Sequence, residues 1–331
     1  MADLIAIGLG FALTAYALLA GADFGAGILD LTCRRAPQQR AALARTIGPL
    51  WEANHVWLIF SITILFSAFP AAFAALGTVL LAPFTLALMA IVVRGVAFGL
   101  RANAGGQALS DRLLGGAFGA ASVAAPLLFG ASAAAVAEVS TSAGVATTPA
   151  SVPWTGLFAA LVGLLAVALC AHLAATLMTT RLQRAGQLGL ADRFRRRGLQ
   201  TGTSVLVLGA LALLAADWKA PAVWHRLTTA ALPLLAIGLV ATIVSLSALW
   251  RRGYALARGA TLLAAAAILW GWLIAQSPRL IGTRLTIHSA AATAPALTAL
   301  AVAGAVVLVA VLPAFYLLYV LFARPSPEVT E

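Results

Sequence analysis

A chain of 331 residues that is 62% hydrophobic and 9% charged, with a mean hydropathy of +1.00, is excluded from the ordinary soluble class, in which charged residues run near ~25%. Its net charge of +11 comes from 21 basic residues, all arginine except Lys219, against 10 acidic ones. The arginines stand in short blocks between apolar runs, which is the pattern of a membrane topology signal, so no nucleic-acid partner is expected.

The opening run, "MADLIAIGLGFALTAYALLAGADFGAG", lacks a basic leader and an obvious cleavage site, and is expected to be retained as a first helix. Apolar runs long enough for about 30 Å of hydrocarbon recur from there to the end of the chain. They predict nine transmembrane helices, at 3–31, 47–69, 73–99, 113–137, 154–180, 201–217, 228–250, 259–276 and 295–322. No barrel-like alternation is present, and backbone amides in lipid must be satisfied within their own segment, so the fold class is all-α and polytopic. The whole chain, 1–331, reads as one integral membrane domain, with a first group of helices over 1–137 and five more over 154–331.

The loops orient the helices. With the C-terminus inside, the inner loops and helix ends collect Arg34, Arg35, Arg40, Arg45, Arg94, Arg101 and Arg112. They also collect Arg181, Arg184, Arg193, Arg195, Arg196, Arg197, Arg251, Arg252, Arg258 and Arg324. That is 17 of the 21 basic residues, with Lys219, Arg226, Arg279 and Arg284 left outside. The bias predicts an outer N-terminus and a cytoplasmic C-terminus. The segment 138–153 reads as an outer loop. The block "RLQRAGQLGLADRFRRRG", 181–198, reads as the largest inner loop, with a short surface helix in contact with anionic headgroups.

Each ionisable group inside a bilayer costs roughly 2.5–3.5 kcal/mol on insertion scales and therefore needs a reason. Asp23, late in the first helix, and Glu52, early in the second, fall in the inner third. Arg94 lies near the inner end of the third. On the second helix Glu52 and His55 share a face, and Asn54 shares one with Trp57. One reading is an ion pair of Arg94 with Asp23 or Glu52 that locks three helices. The other is a hydrated inlet in which Asp23 and Glu52 pass protons, and the two are compatible. Gly21 and Gly25 have the spacing that lets a neighbouring helix approach closely. His55 and His172 lie at similar depths, about 10–12 Å from the inner ends of their helices. Facing one another, they would ligate a b-type haem. Cys33 and Cys170 have no metal-ligand spacing, no other metal site is expected, and no bridge between them is predicted.

Three stretches carry a resemblance to a known family, subunit II of the cytochrome bd-type quinol oxidases. "GADFGAG" is similar to the family's D-G-F-D-x-G-x-G. "IGPLWEANHVWLI" is similar to I-G-P-x-W-D-G-N-x-x-W-L. "LFSAFPAAFA" is similar to L-F-A-A-F-P-x-x-Y-A, with "VVRGVAFGLR" following where the family has R-x-x-x-F. These motifs span about residues 20–101, under a third of the chain. By position Asp23 matches the second aspartate, Glu52 the W-D-G-N aspartate, Asn54 its asparagine, Trp57 the following tryptophan and Arg94 the arginine. Two departures stand out: Ala20 replaces the first aspartate, and Glu52–Ala53 replaces Asp–Gly.

The resemblance implies two four-helix bundles plus one peripheral helix in a bacterial inner (cytoplasmic) membrane. It also implies a heterodimer whose subunit I carries two b-type haems, a d-type haem and the quinol-oxidising loop, with room for a small single-helix subunit. This chain would bind no haem. It would stabilise subunit I and line a proton path through Asp23, Glu52, Asn54, His55 and Arg94, with oxygen access or packing at Trp57. A proton-coupled transporter, and a haem-binding electron carrier built on His55 and His172, are the alternatives.

Overall fold

A computed structural model of the protein describes residues 1–33, 36–103, 108–139 and 153–322. Within them, the side chains at 37, 45–53, 102–103, 108–111, 308, 310–312 and 314–322 are not described. The chain forms α1 (Ala2–Thr32), α2 (Pro37–Ala68), α3 (Pro70–Val79), α4 (Leu81–Asn103), α5 (Ala108–Val139) and α6 (Leu157–Arg184). It continues with α7 (Leu188–Lys219), α8 (Pro221–Leu227), α9 (Leu232–Trp250) and α10 (Tyr254–Gln276). A two-stranded antiparallel hairpin, β1 (Arg279–Ile281) and β2 (Leu285–Thr286), then leads to α11 (Ala294–Phe322).

Eight of the nine expected segments fall largely on one helix each. Among the described residues seven helices (α1, α4, α5, α6, α7, α9 and α10) are long and apolar enough to cross a membrane. Asn54–Ala68 of α2 pairs with α3 across a bend of 116°. Pro70 opens α3 at a position where its missing N–H costs nothing, but it cannot continue the ladder of α2, so the chain turns at Phe69. The expected third helix, 73–99, is thus divided between α3 and α4.

Two expected boundaries are corrected. α2 starts at Pro37, ten residues before the apolar run, because proline at its first turn and the helix-forming "QQRAALAR" carry the helix past the hydrocarbon limit. The block 181–198 is not a loop. α6 runs to Arg184, α7 starts at Leu188, and the turn between them is closed by Gly186 at φ +71. Hydropathy marks the limit of lipid, whereas helices continue wherever backbone hydrogen bonds still close.

Among the described residues α1 packs on α2 and α5, and α4 packs on α5. α6, α7, α9 and α10 form a second group, while α11 leans on α1 and α2. The two groups meet where α1 and α5 lie against α6. Glycine makes that contact close: a Cβ on Gly25 would overlap the backbone carbonyl of Cys170, and one on Gly21 would press on Leu173. The spacing of small residues on α1 therefore does what it predicts. Outward faces keep large apolar side chains exposed, as on α4 at Leu88, Met89, Val92 and Val96, which suits a lipid-facing or subunit-facing surface.

Candidate functional site

α1 delivers Asp23 to the centre of the first helix group, where its side chain is fully buried. Such a charge is tolerated only when paired and hydrogen-bonded. Arg94 of α4 supplies both. Nη1 donates to Asp23 Oδ2 at 2.9 Å, Nη2 to Oδ1 at 2.5 Å, and Nη2 also to the Asp23 carbonyl at 3.1 Å. Asn54 of α2 adds a donor, Nδ2 to Oδ2 at 2.8 Å. Arg94 Nε donates to Ser122 Oγ of α5 at 2.9 Å. The guanidinium also lies over the rings of Phe24 and Phe118, at 5.1 and 4.9 Å from their centroids. One bidentate ion pair thus ties together four helices.

A second knot lies two helical turns towards the arginine-rich end. Asp30 of α1, also buried, accepts from Arg101 Nη1 at 3.0 Å and from Arg40 Nε at 3.2 Å. Asp23 and Asp30 are seven residues apart on α1, as are Arg94 and Arg101 on α4. Both pairs have the same separation in sequence, 71 residues. α1 and α4 run parallel, so a seven-residue repeat on each places equal charges at equal levels, about 10 Å apart along the axis. Arg40 also lies against Gly115 of α5, where a Cβ would collide with its Nη2, so this level too draws on four helices.

Of the residues singled out from sequence, Asp23, Asn54 and Arg94 are brought into direct contact. His55, half-buried, interacts electrostatically with Asp23. The side chain of Glu52 lies outside the described residues. Trp57 stands apart, in an apolar cluster with Ile64, Phe69 and residues of α1, its ring edge-on to Phe60 at 6.2 Å. Asp30, Arg40, Arg101 and Ser122 were missed. The D-x6-D and R-x6-R spacings were the available signal.

His172 belongs elsewhere. It is buried in the second helix group, with Nδ1 3.0 Å from the Gly198 carbonyl of α7. Nε2 lies 3.1 Å from Ser245 Oγ of α9 and 3.2 Å from Thr261 Oγ1 of α10. A carbonyl only accepts, so Nδ1 carries the proton and Nε2 accepts from a hydroxyl. Both ring nitrogens are engaged, and His55 sits on α2 beside Asp23. His172 is a hydrogen-bonded knot of α6, α7, α9 and α10, and no described contact joins it to His55. Its place is opened by Gly202, where a Cβ would meet the imidazole. Among the described residues no cluster of three or more His, Cys, Asp or Glu is arranged to hold a metal ion.

At the arginine-rich end of α1, Arg197 of α7 reaches the Leu29 and Thr32 carbonyls, Thr32 Oγ1 and Cys33 Sγ, and so satisfies the orphan acceptors of the helix terminus. Cys33, just beyond α1, donates to Gln39 Oε1 at 3.3 Å, and burial pushes its thiol pKa up.

An all-α membrane protein with a four-helix ion-pair core is the class this geometry defines. A sequence profile described as cytochrome bd terminal oxidase subunit II matches residues 1–322, and the chain belongs to that family. It is 40% identical over 83 residues to cytochrome bd ubiquinol oxidase subunit 2 of Bacillus subtilis, which is 25% of either chain. It is 32% identical over 94 residues to cytochrome bd-I ubiquinol oxidase subunit 2 of Escherichia coli K12, covering 28% of this chain and 25% of that one. These alignments span about a quarter of each relative's length. A chain of the bd oxidase from Geobacillus thermodenitrificans superposes with a TM-score of 0.80 at 24% identity, over 98% of this chain and 99% of that one, and so shares its fold.

Proposed function

We propose that this chain is the second membrane subunit of a bd-type quinol:oxygen oxidoreductase in the bacterial cytoplasmic membrane, with the arginine-rich end towards the cytoplasm. A partner subunit I carries the two b-type haems, the d-type haem and the quinol site. This chain, not catalytic alone, braces that partner and passes protons inward from the cytoplasmic side. A small single-helix subunit is compatible with the exposed apolar faces. Family membership supports the assignment to the complex.

One observation carries the proton role: two buried carboxylates, Asp30 and Asp23, stand in line along α1 from the arginine-rich end to the middle of the first helix group. Buried ionisable groups in membrane helices default to functional sites. Asp23 Oδ2 shares two donors, Arg94 Nη1 and Asn54 Nδ2, so loss of one to a proton leaves the other in place. His55, half-buried and in electrostatic contact with Asp23, belongs to the same proposed path, and Glu52 is assigned to it from its position in sequence two residues before Asn54. Trp57, packed among apolar neighbours, has a packing role. The transporter alternative expects helices broken at the membrane midplane. The break here lies at the end of α2, after Ala68, and family membership favours the oxidase.

The test uses Asp23→Asn and Glu52→Ala in the assembled complex. Quinol-driven oxygen consumption is expected to fall at least about tenfold, the lower part of what a positioned proton-transfer group contributes, with haem content held. Normal turnover in both variants would overturn the proton role.

A further inference from the structure

A proton that passes from Asp30 to Asp23 must cover about 10 Å along α1. That is beyond direct transfer or transfer through a single water. The two ends of the step also differ in their access to water. Arg40 and Arg101, which hold Asp30, are each 21% exposed, whereas Arg94, which holds Asp23, is 3% exposed and the Asp23 side chain is fully buried.

Between the two levels the lining is apolar, and three helices build it with the same spacing. On α1, Gly27 stands four residues after Asp23 and three before Asp30. On α4, Phe98 stands four after Arg94 and three before Arg101. On α5, which runs the other way, Phe118 stands three after Gly115 and four before Ser122. Steps of three and four keep these residues on one face of each helix. Gly115 lies against Arg40 and Ser122 accepts from Arg94, so α5 spans the same two levels as α1 and α4.

Phe118 fills the layer and is 1% exposed. Its ring centre is 6.0 Å from that of Phe98 and 4.9 Å from the Arg94 guanidinium carbon. A Cβ on Gly27 would press on the Phe118 ring at 3.1 Å and overlap Ser122 Oγ. A gap that cannot take a methyl group cannot take a water of similar size. The layer is therefore closed to a water chain in this packing.

We propose that Phe118, backed by Phe98, gates the step between Asp30 and Asp23, a refinement of the proton role that rests on that role. Asp30 takes a proton from cytoplasmic water. When the ring turns aside, a water chain forms across the layer, the proton passes to Asp23, and Asp30 is left ionised for the next one. The ring then closes the layer against the proton's return.

The test is suppression, read as quinol-driven oxygen consumption of the assembled complex with haem content held. Asp30→Asn is expected to slow turnover at least about tenfold. Phe118→Ala opens the layer to water, so the Asp30→Asn/Phe118→Ala double variant is expected to recover most of that loss, which a merely structural role would not do. Where Phe118→Ala lowers haem content, Phe98→Ala opens the same layer from α4. A second readout needs no turnover. Ser122→Cys, in a Cys33→Ser/Cys170→Ala background, is treated in inverted vesicles with methyl methanethiosulfonate, and the labelled thiol is counted by mass spectrometry. Slow labelling with the ring in place and fast labelling with Phe118→Ala are expected. Equal labelling of the two would overturn the gate. So would a double variant as slow as Asp30→Asn, or normal turnover of Asp30→Asn, where Asp23→Asn is slow. Normal turnover of Asp23→Asn as well would overturn the proton role and the gate with it.

Discussion

Arg94 is the residue on which the first helix group closes. It holds a carboxylate, a backbone carbonyl, a hydroxyl and two aromatic faces at once, and its aliphatic stem crosses from α4 to α1. Removing one partner of a buried pair leaves the other uncompensated, at about 3–5 kcal/mol. Arg94→Gln should therefore lower the thermal unfolding midpoint of the complex markedly, and the double change Asp23→Asn/Arg94→Gln should recover part of the loss. Additive losses in that cycle would deny the coupling. Arg94→Lys should behave as a partial loss, since an ammonium cannot donate to both carboxylate oxygens and to Ser122 in the same fork. Asp23, Asn54 and Arg94 were legible as buried polar residues from the run of apolar neighbours. The choice of partner was not: Arg94 had Asp23 and Glu52 open to it, and only the parallel register of α1 and α4 selects Asp23.

At the scale of helices, contact between the two groups depends on where small side chains face. Gly25→Ala would drive a methyl into the Cys170 carbonyl and force α1 from α6, an overpacking cost of about 1–3 kcal/mol. Gly8→Ala, on the same helix with nothing within 4 Å of its Cβ, should be neutral or slightly stabilising. Comparing the two unfolding midpoints checks the claim, because helix propensity alone predicts the same sign for both. In the second group, His172→Phe strands the Gly198 carbonyl and the Ser245–Thr261 hydroxyl pair. A loss of about 1–3 kcal/mol is expected from the unmade hydrogen bonds, with the haem content of the complex unchanged. Loss of a haem signal in that variant would favour the ligand reading. Depth along a helix was readable from the sequence for both histidines. Rotation about the helix axis relative to neighbours was not, and rotation decides what a side chain touches.

For the molecule as a whole, most of the described arginines lie at one end of the helix array, on α2, α4, α5, α6, α7 and α10 and in the α9–α10 turn, with Arg226, Arg279 and Arg284 at the other. With that end cytoplasmic, a cysteine at Gln187 in the α6–α7 turn should react with a membrane-impermeant maleimide only in inverted vesicles. One at Ser289, after the hairpin, should react only from outside. The background is Cys33→Ser/Cys170→Ala. The reverse pattern would invert the topology and, with it, the side from which protons are taken up.

Composition and hydropathy by themselves determined that this is an all-α membrane chain, where its helices run and which end carries the positive charge, because desolvation acts on each segment independently of its neighbours. The small-residue spacing on α1 and the isolated acids within apolar runs were fixed locally for the same reason. Tertiary structure decided the rest. It turned the chain at Phe69, joined α6 to α7 through a tight turn, paired Asp23 with Arg94 and Asp30 with Arg101, and gave His172 a carbonyl and two hydroxyls as partners. Pairing energies depend on distance and orientation between helices far apart in sequence, and no local pattern contains those.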